Sequence, residues 1–286
     1  MTWPEIRGAS KPPTGGWNAA AKASLRRLCH SVRVSLIDQD SCDFRIHYGG
    51  SLSCVELITT LYARVKKKED LFILSKGHAC LTLYIVLSKM GVIGLDELKR
   101  FKQIDGILQG HPDMNTTPGI DMSTGSLGHG LSVGVGMALE KRFRKTSNFV
   151  YCLIGDGECQ SGQIWEAAMA AAHYSLDNLI VILDNNNMQV DGYTEDIMRL
   201  SPLKNKWESF GWYVETIDGH DVEQISKAIR KAKRISLRPK IIIANTVKGR
   251  GVGIMENTPG FHSAKLSERE AMAVKNELKV VAEDLE

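Results

Sequence analysis

Two short polar turns follow apolar runs of the sequence and carry side chains that suit a small divalent cation. Residues 155–158 read GDGE, and residues 184–187 read DNNN. Mg²⁺ binds carboxylate, amide and carbonyl oxygens and often shares its coordination shell with a phosphate group. Asp156 and Asn186 therefore form a candidate metal site, although either turn alone is equally typical of an ordinary polar loop.

The first of these turns also suits an anion. Gly157 lets backbone N–H groups approach a phosphate closely, because glycine has no side chain to block them. A helix predicted to begin near Gly162 adds the positive end of its dipole. A diphosphate held together with Mg²⁺ is the expected occupant of this turn.

A second glycine-rich stretch, STGSLGHG at residues 123–130, precedes a helical pattern over residues 131–142. Bare glycine backbone at a helix start favours contact with a flat ring or a phosphate. Close packing between helices is the alternative interpretation of the same glycines.

Short β-branched and aromatic runs that alternate with helical segments must position these turns. The predicted strands cover residues 148–154, 178–183, 212–217 and 240–246, and the helical segments between them cover residues 164–173 and 222–234. This alternation predicts an α/β fold with a parallel sheet covered by helices on both faces. Ligands of such sheets bind beyond the carboxyl ends of the strands, where both turns lie.

The flanking regions complete the predicted organisation. Prolines and glycines make residues 1–18 an extended arm, and apolar residues at three- and four-residue steps predict a core-facing helix over residues 25–36. The composition turns helical and charged from residue 267 to the end. With 286 residues, 43% of them hydrophobic, and no internal repeat, residues 19–286 are predicted to form one domain.

Composition excludes several classes of protein. The 36 Lys and Arg against 33 Asp and Glu leave a net charge of +3, which argues against a dedicated nucleic-acid binder. The apolar runs are far shorter than a membrane helix requires, and no secretory signal is visible. Six cysteines without a C-x-x-C pair favour reduced, buried thiols. A cytoplasmic protein without a membrane or nucleic-acid partner is expected.

Five motifs resemble the amino-terminal, diphosphate-binding half of transketolase in the same order. They are GGSLS at 49–53, LSKGHA at 74–79, LQGHPD at 108–113, STGSLG at 123–128 and KGRGVGIMENTPGFH at 248–262. Together with the two turns they cover roughly residues 20–265. The resemblance is strongest to the two-gene form, in which this half is a separate subunit.

The resemblance implies thiamine diphosphate and Mg²⁺, or Ca²⁺ or Mn²⁺ in its place, as cofactors. The metal ligands would be Asp156, Asn186 and the backbone carbonyl of Met188. The residues implied to bind the cofactor itself are His78, Gly125, Leu127, Gly157, Asn186 and His262. Among them, Gly125 and Leu127 would hold the aminopyrimidine and thiazolium rings, and Gly157, His78 and His262 would lie at the diphosphate.

Histidines dominate the implied catalytic set. His47, His78 and His111 would surround the reacting carbon, and His111 would contact a hydroxyl of the transferred unit. His262 is included in the set. Breaking and making carbon–carbon bonds beside a hydroxyl and a carbonyl needs groups that exchange protons near neutral pH, which histidine does. The histidines outside any motif are expected to be structural or exposed: His30, His173 and His220.

The implied activity is the transfer of a two-carbon ketol unit from a ketose, or ketose phosphate, to an aldehyde. The glutamate that activates the cofactor, and most of the basic residues that bind sugar phosphate, belong to the other half of a transketolase. The chain is therefore expected to work with a separate pyrimidine-binding subunit, in an α2β2 heterotetramer.

The departures from the family pattern include Tyr48, His129 and Ser161. Tyr48 replaces the proline of SGHPGGS, which puts the shape of the loop around His47 in question. His129 replaces a glutamine, and Ser161 replaces a glutamate that helps to link the two active sites. Glu166 remains as the acidic residue of that link and is included among the catalytic candidates.

These departures leave two alternatives open. One is an enzyme of a specialised pathway that delivers a two-carbon glycolyl unit to a carrier-protein thiol or to an unusual sugar. The other is a subunit that keeps the fold for a structural or regulatory role without catalysis.

Overall fold

A computed structural model of the chain describes residues 17–39 and 44–283. Its centre is a parallel sheet of five strands in the order β1-β2-β3-β5-β4. The strands are β1 (Leu71–Leu74), β2 (Val150–Gly155), β3 (Leu179–Asn185), β4 (Tyr213–Asp218) and β5 (Lys240–Asn245). The predicted arm at residues 1–18 lies almost wholly outside the described residues.

Helices cover both faces of this sheet. They are α1 (Ala19–Asp38), α2 (Tyr48–Ser53), α3 (Val55–Thr60), α4 (Cys80–Lys89), α5 (Leu95–Leu98), α6 (His129–Phe143), α7 (Gly162–His173), α8 (Thr194–Ile197), α9 (Leu203–Ser209), α10 (Val222–Ala232) and α11 (Glu268–Glu283). Single turns of 3-10 helix at Gly77–Ala79, Asp156–Gln160 and Pro259–Phe261, and a π-helical turn at Leu61–Val65, join some of them.

Alternate residues of each strand enter two separate cores. Tyr151 and Leu153 of β2 pack into the cluster that includes α1, α3, α4 and α10. Cys152 and Ile154 of the same strand pack into the cluster under α6, α7 and α9. Because both faces are covered, the central strands are apolar along their length, and each fully buried Leu, Ile or Val contributes about 1.5–3 kcal/mol. The predicted fold class is confirmed.

Two amphipathic helices, α1 and α10, begin at side-chain caps. Asn18 accepts a hydrogen bond from the N–H of Ala21 at 2.8 Å and starts α1, whose buried positions include Leu25 and Val32. Asp221 accepts bonds from the N–H groups of two residues in the first turn of α10. Each cap satisfies a donor that the helix itself leaves unpaired.

The pattern of the sequence missed one strand. Residues 71–74 read LFIL, and a run of four apolar residues does not distinguish a strand from a turn of buried helix. In the structure this run becomes β1 because it pairs in parallel with β2, from Leu71 opposite Val150 to Leu74 opposite Leu153.

The cysteines and the helices were also compared with what the composition predicts. The five cysteines among the described residues are free and buried, and Cys42 lies outside those residues. Within residues 17–39 and 44–283, no helix has the length and apolar character needed to cross a membrane.

Candidate active site

The two polar turns meet at the carboxyl edge of the sheet. Gly155, the last residue of β2, lies opposite Asp184 of β3, so the residues that follow the two strands emerge side by side. The backbone N–H of Asn187 donates to Oδ2 of Asp156 at 2.5 Å. The parallel register therefore joins two turns that are well separated in the sequence.

The side chains proposed as metal ligands are held before any metal binds. Oδ1 of Asp156 accepts from the N–H of Gly157 at 2.8 Å, and Oδ1 of Asn186 accepts from the N–H of Met188 at 3.1 Å. Burial, together with the charge of Asp184, raises the pKa of Asp156 to about 7. A bound cation would offset both effects and keep the carboxylate ionised.

This set fits a hard cation such as Mg²⁺. No group of three or more His, Cys, Asp or Glu side chains capable of holding a metal occurs among the described residues. The candidate ligands are instead one carboxylate, one amide and the backbone around Met188. Oxygen donors of this kind suit a cation that keeps part of its shell for phosphate and water.

Asp184, the first residue of the second turn, is excluded as a ligand by its own partners. It is fully buried, forms an ion pair with Lys76, and accepts hydrogen bonds from the hydroxyls of Ser53 (2.6 Å) and Thr246. Burial alone would raise the pKa of this carboxyl, but the charge of Lys76 and the hydrogen bonds outweigh it and hold the pKa below its usual value. Asp184 stabilises the edge of the sheet.

Two buried lysines give the cleft its positive charge. Lys248 donates to the backbone carbonyl of Gln189 at 2.8 Å, and burial, with the charge of Lys76 as the next cause, lowers its pKa to about 8. Lys76 and Lys248 both line the cleft above Asp156 and Gly157. Neither lysine had a predicted role, although the motifs LSKGHA and KGRG contain them.

The glycines of the GGSLS motif make room for these side chains. A Cβ atom added to Gly49 would lie 2.9 Å from Cε of Lys248, and one added to Gly50 would lie 3.0 Å from Nε2 of His78. Any larger residue at either position would force Lys248 or His78 to move. The motif thus positions the lysine and the histidine.

Four histidines from four separate segments come together beside this cleft. The ring centroid of His47 lies 5.5 Å from that of His78, 6.4 Å from that of His111 and 5.6 Å from that of His262. The rings of His78 and His262 are 5.3 Å apart. The resemblance grouped these residues, and the structure brings all four into one cluster.

Burial keeps this cluster neutral. It lowers the pKa of His47 to about 4, with the charge of Lys102 contributing, and that of His262 to about 4, with Lys248 contributing. The pKa values of the other two rings also lie below the ordinary value, for the same first cause. The four rings are therefore uncharged near neutral pH in the chain by itself, and their expected role in proton exchange stays a prediction. A neutral imidazole still both donates and accepts a hydrogen bond.

The cleft contains buried polar atoms with nothing to bond. Nδ1 of His262 and Oε1 of Gln189 have no hydrogen-bond partner among the described residues, and both side chains line the cleft of about 450 Å³ that includes Asp156 and Asn186. Native proteins rarely leave such atoms unsatisfied, and a ligand is one of the usual partners. Lysines, the oxygen set and these orphaned atoms together fit a diphosphate with a cation.

Comparison with known proteins identifies the family. The profile described as "Transketolase, thiamine diphosphate binding domain" matches residues 26–284. The chain belongs to the transketolase family. Its members are transferases, and this domain is the part of a transketolase that binds thiamine diphosphate.

Two relatives are single subunits of transketolases. The chain is 44% identical over 231 residues to the 6-deoxy-6-sulfo-D-fructose transketolase subunit SqwG of Clostridium sp. (strain MSTE9), covering 78% of this chain and 84% of that protein. It is 40% identical over 225 residues to one subunit of the apulose-4-phosphate transketolase of Phocaeicola vulgatus, covering 76% and 80%. The chain therefore corresponds to the amino-terminal subunit of the split form.

Solved transketolases share the fold but are much longer. The enzyme from Campylobacter jejuni superposes with a TM-score of 0.83 at 30% identity, covering 89% of this chain and 42% of that one. Human transketolase is 35% identical over 265 residues and is covered to 42%. The chain spans about two fifths of these full-length transketolases.

In the glycine-rich stretch of this transketolase subunit, the first and the later glycines have different surroundings. A Cβ on Gly125 would lie 3.5 Å from the ring of His111, and Leu127, which is half exposed, lines the cleft. Gly130 instead packs closely, since a Cβ there would lie 2.5 Å from Ser75. The first glycine faces the site, and the later one serves helix packing.

Glu158 ties this stretch to the sheet, a role that the sequence did not reveal. Its carboxylate accepts from the N–H of Gly128 at 2.8 Å, the N–H of Gly155 at 2.9 Å and the hydroxyl of Ser75 at 2.5 Å. Gly128 has a φ of 86°, a conformation that favours glycine. One buried side chain thus fixes the position of Leu127 relative to the GDGE turn.

The departures from the transketolase pattern lie around the cleft. Tyr48 is fully buried in the core and does not line the cleft, so it fills space behind the histidine that precedes it. Ser161 lies against Gly128, where an added Cβ would lie 2.8 Å from its hydroxyl oxygen. His129 and Glu166 are exposed outside the cleft, and the role of Glu166 in linking active sites stays a prediction.

Histidines outside the transketolase motifs take ordinary places. Nδ1 of His220 lies 3.0 Å from Oε2 of Glu56, and its Nε2 accepts from the N–H of Val247 at 2.9 Å. His173 is exposed at the end of α7. Neither joins the cluster, in agreement with the expectation that they are structural or exposed.

Proposed function

We propose that this chain is the diphosphate-binding subunit of a transketolase that moves a two-carbon ketol unit from a ketose to an aldehyde. The observation that supports this most directly is the four-histidine cluster, which adjoins a lysine-lined cleft that ends at Asp156 and Asn186. A diphosphate and cation at one end would place the rest of the cofactor toward the histidines. The arrangement suits anion binding at one end and proton handling at the other.

In this proposal Asp156, Asn186 and the carbonyl of Met188 bind Mg²⁺, with Ca²⁺ or Mn²⁺ as substitutes. Gly157 offers its backbone to the diphosphate, and Lys248 lies above it with a free ammonium charge.

Gly125 and Leu127 would support the two rings of the cofactor. Thiamine diphosphate supplies a thiazolium that accepts the electron pair released when a carbon–carbon bond of the ketose breaks.

The histidines handle protons and polar groups of the sugar. Because burial lowers their pKa values from the ordinary value, they meet the substrate as neutral imidazoles that donate at one nitrogen and accept at the other. His47, His78 and His262 are close enough to one another for one small carbonyl or hydroxyl to contact two rings. His111 lies at the side of His47, where it can hold a neighbouring hydroxyl.

A partner subunit completes the site in this proposal. It would carry the pyrimidine-binding half and the activating glutamate, in an α2β2 assembly. The coverage of the subunit relatives, about four fifths of their length, supports this arrangement. We place the assembly in the cytoplasm, since the five described cysteines are free and buried.

The relatives also suggest the substrate. One is named for a sulfonated ketose and another for a ketose phosphate. We propose a ketose with a terminal anionic group as donor and a short aldose phosphate as acceptor. The substitutions at His129 and Ser161 keep an unusual acceptor, such as a carrier-protein thiol, as the competing hypothesis.

Co-expression with the partner subunit tests this function. The purified complex, with saturating thiamine diphosphate and Mg²⁺, is given a ketohexose 6-phosphate or its 6-deoxy-6-sulfo analogue with glyceraldehyde 3-phosphate. Mass spectrometry should detect a product two carbons longer than the acceptor. Each of the two subunits by itself is the matched control and should give none. Absence of product from the complex with both donors would reject the proposal.

A further inference from the structure

We propose that Arg45 and Lys102 bind the terminal oxyanion, phosphate or sulfonate, of the sugar substrate beside the histidine cluster. This inference rests on the proposed function and gives the diphosphate-binding subunit part of the recognition of the substrate. The shared chemistry is a tetrahedral group with several negatively charged oxygens, which guanidinium and ammonium groups bind through charge-assisted hydrogen bonds.

These two cations join three of the segments that carry the histidines. Lys102 donates from Nζ to the backbone carbonyl of Arg45 at 2.5 Å, and Arg45 lies two residues before His47. Arg45 in turn donates to the carbonyl of Ser263, the residue after His262. The pair therefore lies against the backbone on either side of the cluster.

Backbone pairing fixes this arrangement. Ile46 and Ala264 form an antiparallel bridge, with N–H to carbonyl distances of 2.8 Å and 3.0 Å. The third segment joins through Lys102, whose Cε would lie 3.1 Å from a Cβ on Gly110, the residue before His111. Both charges are close enough to His47 to lower its pKa, and that of Lys102 also lowers the pKa of His111.

Neither cation has a carboxylate partner among the described residues, in contrast to Lys76, which is paired with Asp184. Near Lys102, Asp105 pairs with Arg100 at 2.6 Å and Asp113 accepts from its own turn. Asp40 and Asp43, the acidic residues nearest to Arg45 in sequence, lie outside the described residues. Arg45 is exposed and Lys102 half-buried, so their remaining donors are available to a ligand.

Lys102 also adopts a backbone conformation that is costly for its residue type. Its φ is 62°, and its N–H closes a loop onto the carbonyl of Leu108 at 2.8 Å. A non-glycine residue in this region costs about 1–3 kcal/mol, and such strain concentrates at functional sites. The strained loop presents the ammonium group toward the histidines.

Arg45 departs from the family pattern in the motif that carries His47. The family pattern SGHPGGS has serine where RIHYGGS has arginine. A serine there would add no charge. The extra cation therefore points to a substrate whose anionic end is held partly by this subunit, in addition to groups of the partner.

Steady-state kinetics of the assembled enzyme test the inference. The donors are a ketohexose 6-phosphate, the 6-deoxy-6-sulfo ketohexose and the unsubstituted ketohexose, each with the same aldehyde acceptor. The variants are Arg45→Ser, Arg45→Lys and Lys102→Met. Lys99→Met is the matched control, because Lys99 is 78% exposed and pairs with Asp96 on the short helix α5.

The expected result is a change in selectivity. Arg45→Ser and Lys102→Met should each lower the ratio of kcat/KM for an anionic donor to that for the neutral donor about ten-fold, mainly through KM, since a charge-assisted hydrogen bond is lost. Arg45→Lys should retain most of the ratio, and Lys99→Met should leave it unchanged. Loss with one anion alone identifies that anion as the natural group.

Two outcomes overturn the inference. Equal losses with neutral and anionic donors would show that the residues only hold the loop, and unchanged ratios would show that they do not contact the anion. Inactivity of the wild type with every donor would instead reject the proposed function. In that case, calorimetric titration of the complex with the ketohexose 6-phosphate decides the inference, because unchanged affinity in Arg45→Ser would reject it.

Discussion

The two ends of the cleft differ in how completely they are organised. At the strand ends, Asp156, Asp184 and Asn186 are buried and their oxygens already accept hydrogen bonds from the chain. At the histidine end, Nδ1 of His262 is buried without a partner among the described residues, and the rings contact mainly one another. One end is prepared before a ligand arrives, and the other is left with unsatisfied groups.

The difference follows from the chemistry that each end is proposed to perform. A cation and a diphosphate bind throughout a catalytic cycle, and fixed ligands reduce the entropy lost on binding. A sugar enters and leaves, so the groups that meet it must be free to exchange hydrogen bonds. In the proposed assembly the partner subunit would face the histidines and supply the bond that Nδ1 of His262 lacks among the described residues.

Removing Lys76 should cause the largest loss of stability at the strand ends. Lys76→Met leaves the carboxylate of Asp184 buried without its counter-ion, and the loss of one partner of a buried pair costs about 3–5 kcal/mol of unfolding free energy. Urea unfolding of the subunit, followed by circular dichroism, measures it.

Lys248→Met is the matched control for that measurement. Lys248 is also buried, but it bonds to a backbone carbonyl, so its removal should cost about 1–1.5 kcal/mol. Equal losses in the two variants would show that Lys76 and Asp184 do not form the pair that organises the strand ends.

Removing a proposed metal ligand should weaken cofactor binding without unfolding the chain. Asp156→Ala and Asn186→Ala should each weaken Mg²⁺-dependent binding of thiamine diphosphate by about 100-fold, the upper range for loss of a group near a metal. Calorimetric titration of the assembled complex measures this affinity. Asn185→Ser is the control, since that side chain bonds to Asn245 at the surface. Wild-type affinity in Asp156→Ala would refute the metal site.

The sequence revealed the prepared end better than the histidine end, for a physical reason. Parallel strands converge at one edge, so polar turns after two apolar runs predict neighbouring ligands without knowledge of the remaining fold. The roles of Lys76 and Glu158 were not predicted, because a lysine or glutamate in a motif is usually exposed. Only the packing shows that these two are buried. The histidine cluster came from resemblance alone, because its members lie on four segments with no common spacing. Their low pKa values depend on burial, which no local pattern encodes.

Substitution of Glu158 tests whether its hydrogen bonds hold the glycine-rich stretch in position for the cofactor. Glu158→Ala removes the acceptor shared by Gly128, Gly155 and Ser75, and should weaken cofactor binding about ten-fold because buried donors are left unpaired. Glu158→Gln, of the same size, should recover part of the affinity. Fluorescence titration of the complex with thiamine diphosphate measures both. Glu208→Ala, an exposed change on α9, should have no effect, and a similar loss there would contradict the assignment.

The effect expected at the histidine end depends on pH. The pKa of His47 and of His262 is about 4 in the folded chain, against about 6.5 in the unfolded chain. Between these pH values the unfolded state binds more protons. The contribution of the two histidines to stability is therefore fully present above pH 6.5 and declines as pH falls toward 4.

The His47→Gln, His262→Gln double variant removes both groups, and its urea midpoint should fall less than that of the wild type between about pH 7 and 4.5. His173→Gln changes an exposed histidine and should follow the wild-type profile. Parallel profiles for all three proteins would mean that the cluster is solvated, and the contrast between the two ends of the cleft would then lose its basis.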